Sequence, residues 1–434
     1  MNLDASMLPD SIIIINNELI IDDVPAITII KKYGTPLFVV SKKQLVQNYN
    51  KFHERFMKFT KVLIAYSYKT NYLPSICSIL NQEGAGAEVV SGFELFLAMK
   101  LGVPPSKIIF NGPGKTDQEI TMAIDYDIAL INADSIEELE RINKIASEKG
   151  KIVNVGIRIK PNIPGFLAWP KFGLDVDRWA FEAYEKALAM ENLNVIGMHA
   201  HVGTQICNSQ PYVETIRQMT ELMHRLYTKL GIKIKYMDIG GGFGVSGYEP
   251  LYPIEDQNEE PETLDEMAES IIKVLYSCIS HYKLSETILI LEPGRSIVSD
   301  ATLLLTMVEA TKTVGKNTKT VVVDGGINLI QFAPYYYHRI LPVINNNSKL
   351  ETVDICGPLC MQSDVIGVNR KLPTLKRGDY LAVLDSGAYS LSLSQQFIRP
   401  RPPVILVNWN THKSVRLGES FEDIFRYDDF SDLD

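Results

Sequence analysis

The 434-residue sequence is short of positive charge, of cysteine and of long apolar runs. Its 43 Lys and Arg against 52 Asp and Glu give a net charge of −9, so it lacks the basic surface that nucleic-acid binding requires. No apolar run approaches the roughly 20 residues of a membrane helix, and MNLDASMLPD at the N-terminus lacks the pattern of a secretion signal. The five cysteines are too dispersed for a disulfide framework. We therefore expect a cytoplasmic protein without nucleic-acid or membrane partners.

A strand-like apolar run, a turn containing Gly or polar residues, and a helical segment recur along most of the chain. Eight buried strands that alternate with helices predict a parallel α/β sheet, and eight units favour a closed (β/α)8 barrel over an open sheet. The eight runs are VLIAYS (62–67), AEVVS (87–91), KIIFNG (107–112), IALINA (128–133), VNVGIRIKP (153–161), VIGMHAHVG (195–203), YMDIGGG (236–242) and ILILEPGR (288–295).

The texture of the sequence changes after Arg295. Short runs rich in Val, Ile and Thr favour antiparallel β structure, and two early runs are expected to join it. These runs are TKTVVVDGG, ETVDICGP, GDYLAVLDSGAYSLSL and PVILVNW, with SIIIINNELII and PLFVV near the N-terminus. We predict N-terminal strands over 1–40, a barrel over 41–298 and a C-terminal β domain over 299–434. The acidic segment 248–266 and the tail from Glu422 are expected to be solvated.

Two glycine-containing motifs stand at the ends of the last two barrel strands. GGGFG (Gly240–Gly244) follows strand seven, and EPGR (Glu292–Arg295) closes strand eight. The loops after these strands frequently bind phosphate in β/α barrels, because glycine lets backbone N–H groups approach the oxygens. Arg295 can add charge-assisted hydrogen bonds. The alternative, that these glycines only form tight turns, is weakened by the presence of both motifs at the expected strand ends.

A lysine and a glutamate are expected at the same rim. Lys69 falls just past the end of strand one, where partial burial beside a phosphate site would suit an amine that forms a Schiff base. A solvated surface lysine is the alternative. Glu292 is placed to pair with a protonated pyridine nitrogen, which keeps such a ring an electron sink. The pair favours carbanion chemistry at the α-carbon of a substrate.

AYSYKTN, HAHVGTQ, GGGFG, EPGR and GAY together resemble motifs of the fold-type III pyridoxal-phosphate decarboxylases, the group of diaminopimelate, ornithine and arginine decarboxylases. The match runs from Pro36 to Val407 and is closest to the diaminopimelate branch. The resemblance implies an alanine racemase-like barrel, pyridoxal 5'-phosphate (PLP) as cofactor and amino-acid decarboxylation as the reaction.

The resemblance also implies roles for single residues. Lys69 would carry the cofactor, His201 would stack on its ring, and Glu292 would meet the ring nitrogen. KFGLD (171–175) resembles a loop at the mouth of the site. The other implied cofactor contacts are Glu88 in place of a family aspartate, Arg158 near the cofactor hydroxyl, Thr204 in place of a phosphate-binding serine, and the phosphate contacts Gly241, Gly242, Gly294, Arg295 and Tyr389.

CGPLCMQSD carries the second catalytic candidate, Cys360. It resembles the cysteine that family members contribute across a dimer interface to return a proton after CO2 leaves, and a thiol can act as an acid near neutral pH. The resemblance therefore implies a homodimer with shared active sites. A small buried core residue is the alternative for Cys360. The other four cysteines, with His199 and His338, are interpreted as packing or supporting residues, and we assign no metal ligands.

Substrate identity is where the chain departs from the diaminopimelate branch. Met361 stands where that branch has a glutamate for the distal ammonium, and Gln331 stands near the place of its distal arginine. Each lost charge-assisted hydrogen bond removes about 1.5–3 kcal/mol. We therefore expect a substrate other than free meso-diaminopimelate, either a specialised metabolite or a carrier-linked amino acid, bound near Met361, Gln331, Tyr335 and Phe397. Arg399 or Arg401 could supply the missing charge, and a true diaminopimelate decarboxylase that makes L-lysine is the alternative.

Two other classes share parts of this pattern. A fold-type III racemase would have the same barrel and lysine, but it often has an arginine as the ring-nitrogen partner, where this chain has Glu292. An inactive decarboxylase-like binding protein tends to lose cofactor ligands, which stand here. Both therefore remain alternatives to the decarboxylase.

Overall fold

The computed structural model describes residues 8–58, 61–164, 170–245, 261–284, 287–314 and 318–431. Within these ranges the chain divides into two compact units, one of residues 49–245 and 261–296, and one of residues 8–48 and 297–431. The predicted domain boundaries are at 40/41 and 298/299, whereas the chain divides at 48/49 and 296/297. Most of the predicted acidic segment, up to residue 260, lies outside the described residues, and its end enters a helix that begins at Leu264.

The described strands and helices alternate in the middle of the chain, whereas strands dominate both ends. The strands are β1 (Ile12–Ile15), β2 (Glu18–Ile21), β3 (Val24–Pro25), β4 (Leu37–Ser41), β5 (Val62–Ser67), β6 (Gly86–Val89), β7 (Ile108–Phe110), β8 (Leu130–Ala133), β9 (Val153–Lys160), β10 (Leu174–Asp175), β11 (Leu193–His199), β12 (Tyr236–Asp238), β13 (Ile288–Leu291), β14 (Thr302–Val314), β15 (Thr318–Val323), β16 (Ile340–Pro342), β17 (Leu350–Cys356), β18 (Val365–Pro373), β19 (Tyr380–Val383), β20 (Val404–Asn408) and β21 (Thr411–Arg416). The helices are α1 (Ala26–Tyr33), α2 (Lys42–Phe56), α3 (Pro74–Gln82), α4 (Gly92–Lys100), α5 (Asp117–Tyr126), α6 (Ile136–Glu148), α7 (Ala180–Leu188), α8 (Gln210–Leu230), α9 (Leu264–Tyr282), α10 (Arg295–Val298) and α11 (Phe421–Ile424).

The unit of residues 49–245 and 261–296 contains the predicted barrel. Its strands pair in parallel in the order β9–β11–β12–β13–β5–β6–β7–β8, and β8 pairs with β9 to close the ring. All eight predicted runs form strands, and the unpredicted two-residue β10 extends β9. Because the strands are parallel, the residues that follow all eight of them meet at one rim.

Apolar side chains fill the interior of the barrel. Ala65, Ile109, Leu130 and Ile290 come from four different strands and are fully buried against one another and Ala129. Outside the ring, side-chain caps satisfy free N–H groups at the starts of α5, α6 and α9; Thr116 and Glu119 form a capping box at α5. The barrel is therefore a packed core, and not a pore.

The other unit is built around β4, which confirms that the N-terminal run PLFVV joins the C-terminal sheet. β4 pairs antiparallel with β14 and parallel with β20. β15 and β17 are also parallel, so these two pairs depart from the antiparallel structure that the sequence favours and that the other pairs of the unit adopt. Parallel neighbours need a crossover, and here long stretches of chain separate the two members of each pair. The long strand β14 was not predicted.

The run GDYLAVLDSGAYSLSL forms strand only at Tyr380–Val383, so the prediction is wrong for its second half. Asp385 and Tyr389 have φ angles of 58° and 59°, in the left-handed region that a strand does not adopt. The chain therefore leaves the sheet in a loop that carries Tyr389. In the described part of the chain, every helix is too short or too polar to cross a membrane.

A buried ion pair ties the turn after β7 to α6. The Lys115 ammonium donates to Glu138 Oε1 at 2.8 Å, and to the carbonyl oxygens of Gly112 at 2.8 Å and Asn132 at 2.7 Å. Both charged side chains are buried, and this burial lowers the pKa of Lys115. Every proton of the ammonium thus has an acceptor, as a buried charge requires.

We expect Glu138→Ala to lower the thermal unfolding temperature strongly. Removing one partner leaves the other charge buried and unpaired, which costs about 3 kcal/mol or more. The control is Glu182→Ala in α7, whose pair with Lys186 is solvent-exposed and should be nearly dispensable. Equal unfolding temperatures for the two variants would contradict the assignment.

Candidate active site

A lysine stands at the rim of the barrel, held by a buried carboxylate. Lys69 lies in the single turn that follows β5, and its Nζ is 2.6 Å from Oε2 of Glu88 on β6. Ser67 Oγ donates to the same oxygen at 2.5 Å. Glu88 is fully buried, whereas the Lys69 side chain is 36% exposed. The amine is therefore fixed in direction and still accessible to a small molecule.

A second carboxylate, Glu292, follows β13. Its Oε1 accepts a hydrogen bond of 2.5 Å from Asn111 Nδ2, and its Oε2 lies 3.7 Å from His199 Nε2. Asp238 lies beside these two residues. One side-chain nitrogen or oxygen atom from each of His199, Asp238 and Glu292 lies within 4.8 Å of the other two, and all three residues are buried. When two buried carboxyl groups lie this close together, the charge of one raises the pKa of the other, so the two do not ionise equally.

The inequality makes Glu292 the ionised partner. Burial, with the nearby charge of Glu292, raises the pKa of Asp238 well above its usual value. Burial also pushes the pKa of Glu292 upward, yet this pKa lies below its usual value because His199, Lys69 and Asp238 face the carboxylate. Burial lowers the pKa of His199, and the adjacent Glu292 carboxylate opposes this shift. A carboxylate that stays ionised is the partner that a pyridinium N–H requires.

His201 supplies a neutral aromatic ring. Gly241 N donates to His201 Nδ1 at 3.2 Å, which leaves the ring proton on Nε2. Burial and the charge of Lys69 lower the pKa of His201 to about 3. An uncharged, planar ring beside the lysine is suited to stacking on a heteroaromatic cofactor.

The glycine cluster after β12 is held rigidly by its carbonyl groups. Tyr212 Oη donates to the Gly241 carbonyl at 2.9 Å, and Ile206 N donates to the Gly242 carbonyl at 2.9 Å. Gly242 has a φ of 89°, and a Cβ there would lie 2.3 Å from the Gly203 carbonyl oxygen. Glycine is therefore required at this position, and the Gly242 N–H has no acceptor among the described residues, as an anion-binding loop requires.

The remaining barrel candidates lie on the loops and strand ends of the same unit. Arg158 is buried on β9, 3.7 Å from Asp134 and with its guanidinium carbon 4.4 Å from the centre of the Phe172 ring. Phe172 belongs to the predicted loop KFGLD, so a cation–π contact joins that loop to Arg158. Gly294 and Arg295 are buried after β13, and Thr204 is exposed after β11.

Cys360 and Met361 lie in the other unit, on a loop that Asp364 organises. Asp364 accepts hydrogen bonds from the backbone N–H groups of Ile327 at 2.8 Å and Leu359 at 2.7 Å. Cys360 is exposed, and Met361 is 44% exposed. The alternative of a buried core cysteine is therefore wrong, and the loop presents both side chains at the surface of this chain.

Tyr389 lies in the same unit beside an aromatic cluster. The centre of its ring is 6.1 Å from that of Phe332, which is 6.3 Å from Tyr335 and 5.9 Å from Tyr336. Tyr335 is 66% exposed. Phe332 thus connects a predicted cofactor residue with a predicted substrate residue.

Two further predicted substrate residues lie on segments that are joined by Asn328. The Gln395 N–H donates to the Asn328 carbonyl at 2.9 Å, and Asn328 Nδ2 donates to the Gln395 carbonyl at 3.3 Å. Gln331, three residues after Asn328, is half-buried, and Phe397 is 43% exposed. These segments are therefore fixed to each other within this unit.

Sequence reasoning missed Asn111 and Asp238. Asn111 directly follows β7, and Asp238 ends β12. Polar residues at strand ends were the available signal, because the carboxyl ends of the strands form the catalytic rim of such barrels. His199, interpreted as a supporting residue, is found beside Glu292.

Comparison with known proteins identifies the family. Residues 42–299 match the family described as pyridoxal-dependent decarboxylase, pyridoxal binding domain. The chain is 36% identical over 418 residues to a diaminopimelate decarboxylase of Aquifex aeolicus, with 94% of both chains covered. It is 37% identical over 436 residues to the diaminopimelate decarboxylase of Methanocaldococcus jannaschii, with 96% of this chain and 97% of that relative covered.

A solved structure agrees with this assignment. The crystal structure of the M. jannaschii diaminopimelate decarboxylase superposes with a TM-score of 0.91 at 36% identity, over 98% of this chain and 99% of that one. PLP is accordingly the cofactor, and amino-acid decarboxylation is the reaction. The chain belongs to the pyridoxal-dependent decarboxylases of fold-type III.

Proposed function

We propose that this enzyme decarboxylates diaminopimelate. The observation that carries the proposal is whole-length similarity, above 35% identity, to two enzymes that are each named diaminopimelate decarboxylase. A further M. jannaschii structure of this name, 37% identical, is a complex with L-lysine, the product of that reaction. These comparisons favour the alternative of the sequence analysis over its expectation of a different substrate. Family membership likewise favours a decarboxylase over a racemase or an inactive binding protein.

The barrel residues fit PLP. They offer an accessible amine, a neutral imidazole, an ionised carboxylate and a rigid glycine loop, all on the rim of one barrel. Each matches one part of the cofactor: the aldehyde, the ring face, the ring nitrogen and the phosphate. Gly294 and Arg295 would support the phosphate, and Arg158 would lie toward the cofactor hydroxyl.

Bound PLP supplies the electron sink for the charge that remains at the substrate α-carbon when CO2 departs. Lys69 would hold the cofactor aldehyde, with Glu88 directing the amine. Glu292 would keep the proton on the ring nitrogen, because a buried carboxylate that remains ionised stabilises that positive charge. His201 would pack on the ring face. These roles require the protein only to bind, orient and hold a proton.

We extend the proposal to a homodimer in which Cys360 acts at the partner subunit's site. Its support is that Cys360 is exposed on a loop that Asp364 holds in place. Cys360 would return a proton to the substrate α-carbon after decarboxylation. Met361 would stand beside it toward the distal end of the substrate.

A second candidate function is decarboxylation of a substrate with a less charged distal end. Met361 is the observation that favours it, since an apolar, 44% exposed side chain stands at the place of the family glutamate. A thioether cannot neutralise a distal ammonium, and a buried or partly desolvated charge without a partner disfavours binding. A specialised metabolite or a carrier-linked amino acid would have such a distal end.

Borohydride reduction followed by peptide mapping should place the cofactor label on Lys69. Lys69→Ala should lose the absorbance of the bound cofactor, near about 420 nm, and almost all decarboxylation, because the amine that holds the cofactor is gone. Lys186→Ala, an exposed lysine of α7, is the matched control and should retain both. A label on another lysine would overturn the proposed site.

Release of CO2 should be measured with meso-diaminopimelate, lysine, ornithine, arginine and glutamate. We expect meso-diaminopimelate to have the highest kcat/KM, and Met361→Glu to raise it about tenfold by adding one charge-assisted contact. Met57→Glu, at another exposed methionine, should change nothing. Efficient turnover of a different substrate, with meso-diaminopimelate inert, would instead support the second candidate.

Mixing two inactive variants tests the shared site. Cys360→Ala should bind PLP and turn over substrate poorly, because the proton donor alone is missing. Random mixing of Lys69→Ala with Cys360→Ala subunits should restore about a quarter of wild-type activity, since half of the dimers are mixed and one of their two sites is intact. No recovery in dimers shown to be mixed would contradict a shared site.

A further inference from the structure

The two carboxylates of the barrel rim are joined by a single amide. Asn111 Nδ2 lies 3.1 Å from Glu88 Oε1 and 2.5 Å from Glu292 Oε1, and all three residues are at least 97% buried. A carboxamide nitrogen has two N–H groups, so each carboxylate receives one. Among the residues the structure describes, Asn111 is therefore the only side chain that hydrogen-bonds to both Glu88, beside the lysine amine, and Glu292, the proposed partner of the ring nitrogen.

Asn132 fixes which way this amide points. Its Nδ2 donates to Asn111 Oδ1 at 2.8 Å, so the oxygen of Asn111 is committed on the side away from the two carboxylates. If the Asn111 amide were reversed, its oxygen would face two carboxylate oxygens and its NH2 group would face the Asn132 NH2 group, and neither contact is a hydrogen bond. The network therefore defines one orientation, with both Asn111 donors turned toward Glu88 and Glu292.

The barrel makes room for this arrangement at Gly156. Asn132 on β8 and Gly156 on β9 are direct partners in the parallel register. A Cβ at residue 156 would lie 2.0 Å from Asn132 Oδ1, a distance that no side chain can adopt without displacement. The glycine thus accommodates the amide that orients Asn111. Glu88, Asn111, Asn132 and Gly156 lie on or directly after the four neighbouring strands β6 to β9, and Glu292 follows β13.

We propose that Asn111 is a positioning residue whose one amide holds Glu88 and Glu292 in place and links the lysine amine to the ring-directed carboxylate. This inference rests on the proposed roles of Lys69 and Glu292. Two buried carboxylates near one another disfavour each other's ionisation, and donors to the charged form oppose that effect. The Asn111 amide thereby supplies one donor to each of the two carboxylates.

Asn111→Asp is the sharpest test, because it keeps the shape and replaces two donors with a third carboxylate. Losing donors and adding a like charge raises the pKa of neighbouring carboxylates, so ionised Glu292 is lost at a higher pH than in the wild type. We expect kcat at pH 6.5 to fall about 10- to 100-fold, with recovery as the pH rises, and KM to change little. Asn111→Ala should move the acid limb of kcat upward by about one pH unit.

A second readout does not depend on turnover. The absorbance of PLP bound to Asn111→Asp should change between pH 5 and pH 8, where that of the wild type stays constant, because the charge beside the ring then titrates. Asn132→Ala should produce a smaller shift in the same direction, since it releases the amide but removes no donor to a carboxylate. Asn154→Ala, which breaks an exposed amide pair with Asn194, is the control for loss of an asparagine.

The outcomes separate this inference from the proposed function. A wild-type protein that carries no PLP on Lys69 would remove the proposed function itself. A wild type that carries PLP on Lys69, with Asn111→Asp showing the same pH profile and the same absorbance, would overturn only the role of Asn111. A loss of thermal stability alone, equal in Asn111→Ala and Asn132→Ala and without a pH shift, would do the same and leave Asn111 a packing residue.

Discussion

Providing hydrogen-bond partners for two buried carboxylates at the rim of one barrel is the constraint on which the barrel site depends. Glu88 is fully buried and Glu292 is only 3% exposed, so water does not screen either carboxylate. Their charge has to be met by groups that the strands themselves supply. Lys69 and Ser67 hydrogen-bond to Glu88, Asn111 donates to both carboxylates, and Asp238, whose pKa is raised by burial, lies beside Glu292.

This constraint explains why the polar residues cluster at strand ends. The interior of the barrel is filled by small and branched apolar side chains, which leave no space for polar groups within that layer. A side chain that follows a strand can reach the next strand without entering the layer. Neighbouring strands in parallel register then bring Ser67 opposite Glu88, and Asn132 opposite Gly156. The closed ring thus converts positions that are distant in sequence into one hydrogen-bonded network.

Much of the fold follows from sequence pattern, because each barrel strand is an apolar run bounded by polar residues. Lys69 and Glu292 could be recognised for the same reason: Glu292 directly follows such a run, and Lys69 lies two residues past one. Asn111 follows one too, but its function depends on which strands are neighbours, and the sequence does not state the register. The parallel pairing of β4 with β20 was not predicted, because all the barrel residues separate these two strands along the chain and no local sequence pattern indicates such a pairing. The loop at Tyr389 was missed because apolar residues there continue the appearance of a strand after the φ angles have changed sign.

The fold depends on many residues of the chain, whereas the preference for one substrate over another depends on few. Similarity over 94% of the chain reflects the many residues that build the barrel and its cofactor rim. Preference between two distal groups of a substrate depends on one or two contacts, each worth about 1.5–3 kcal/mol. Met361 and Gln331 lie on loops anchored through Asp364 and Asn328, and neither side chain is part of the buried core. Whole-chain similarity therefore shows the reaction, whereas we propose that the choice of distal group depends on the few side chains that these anchored loops present.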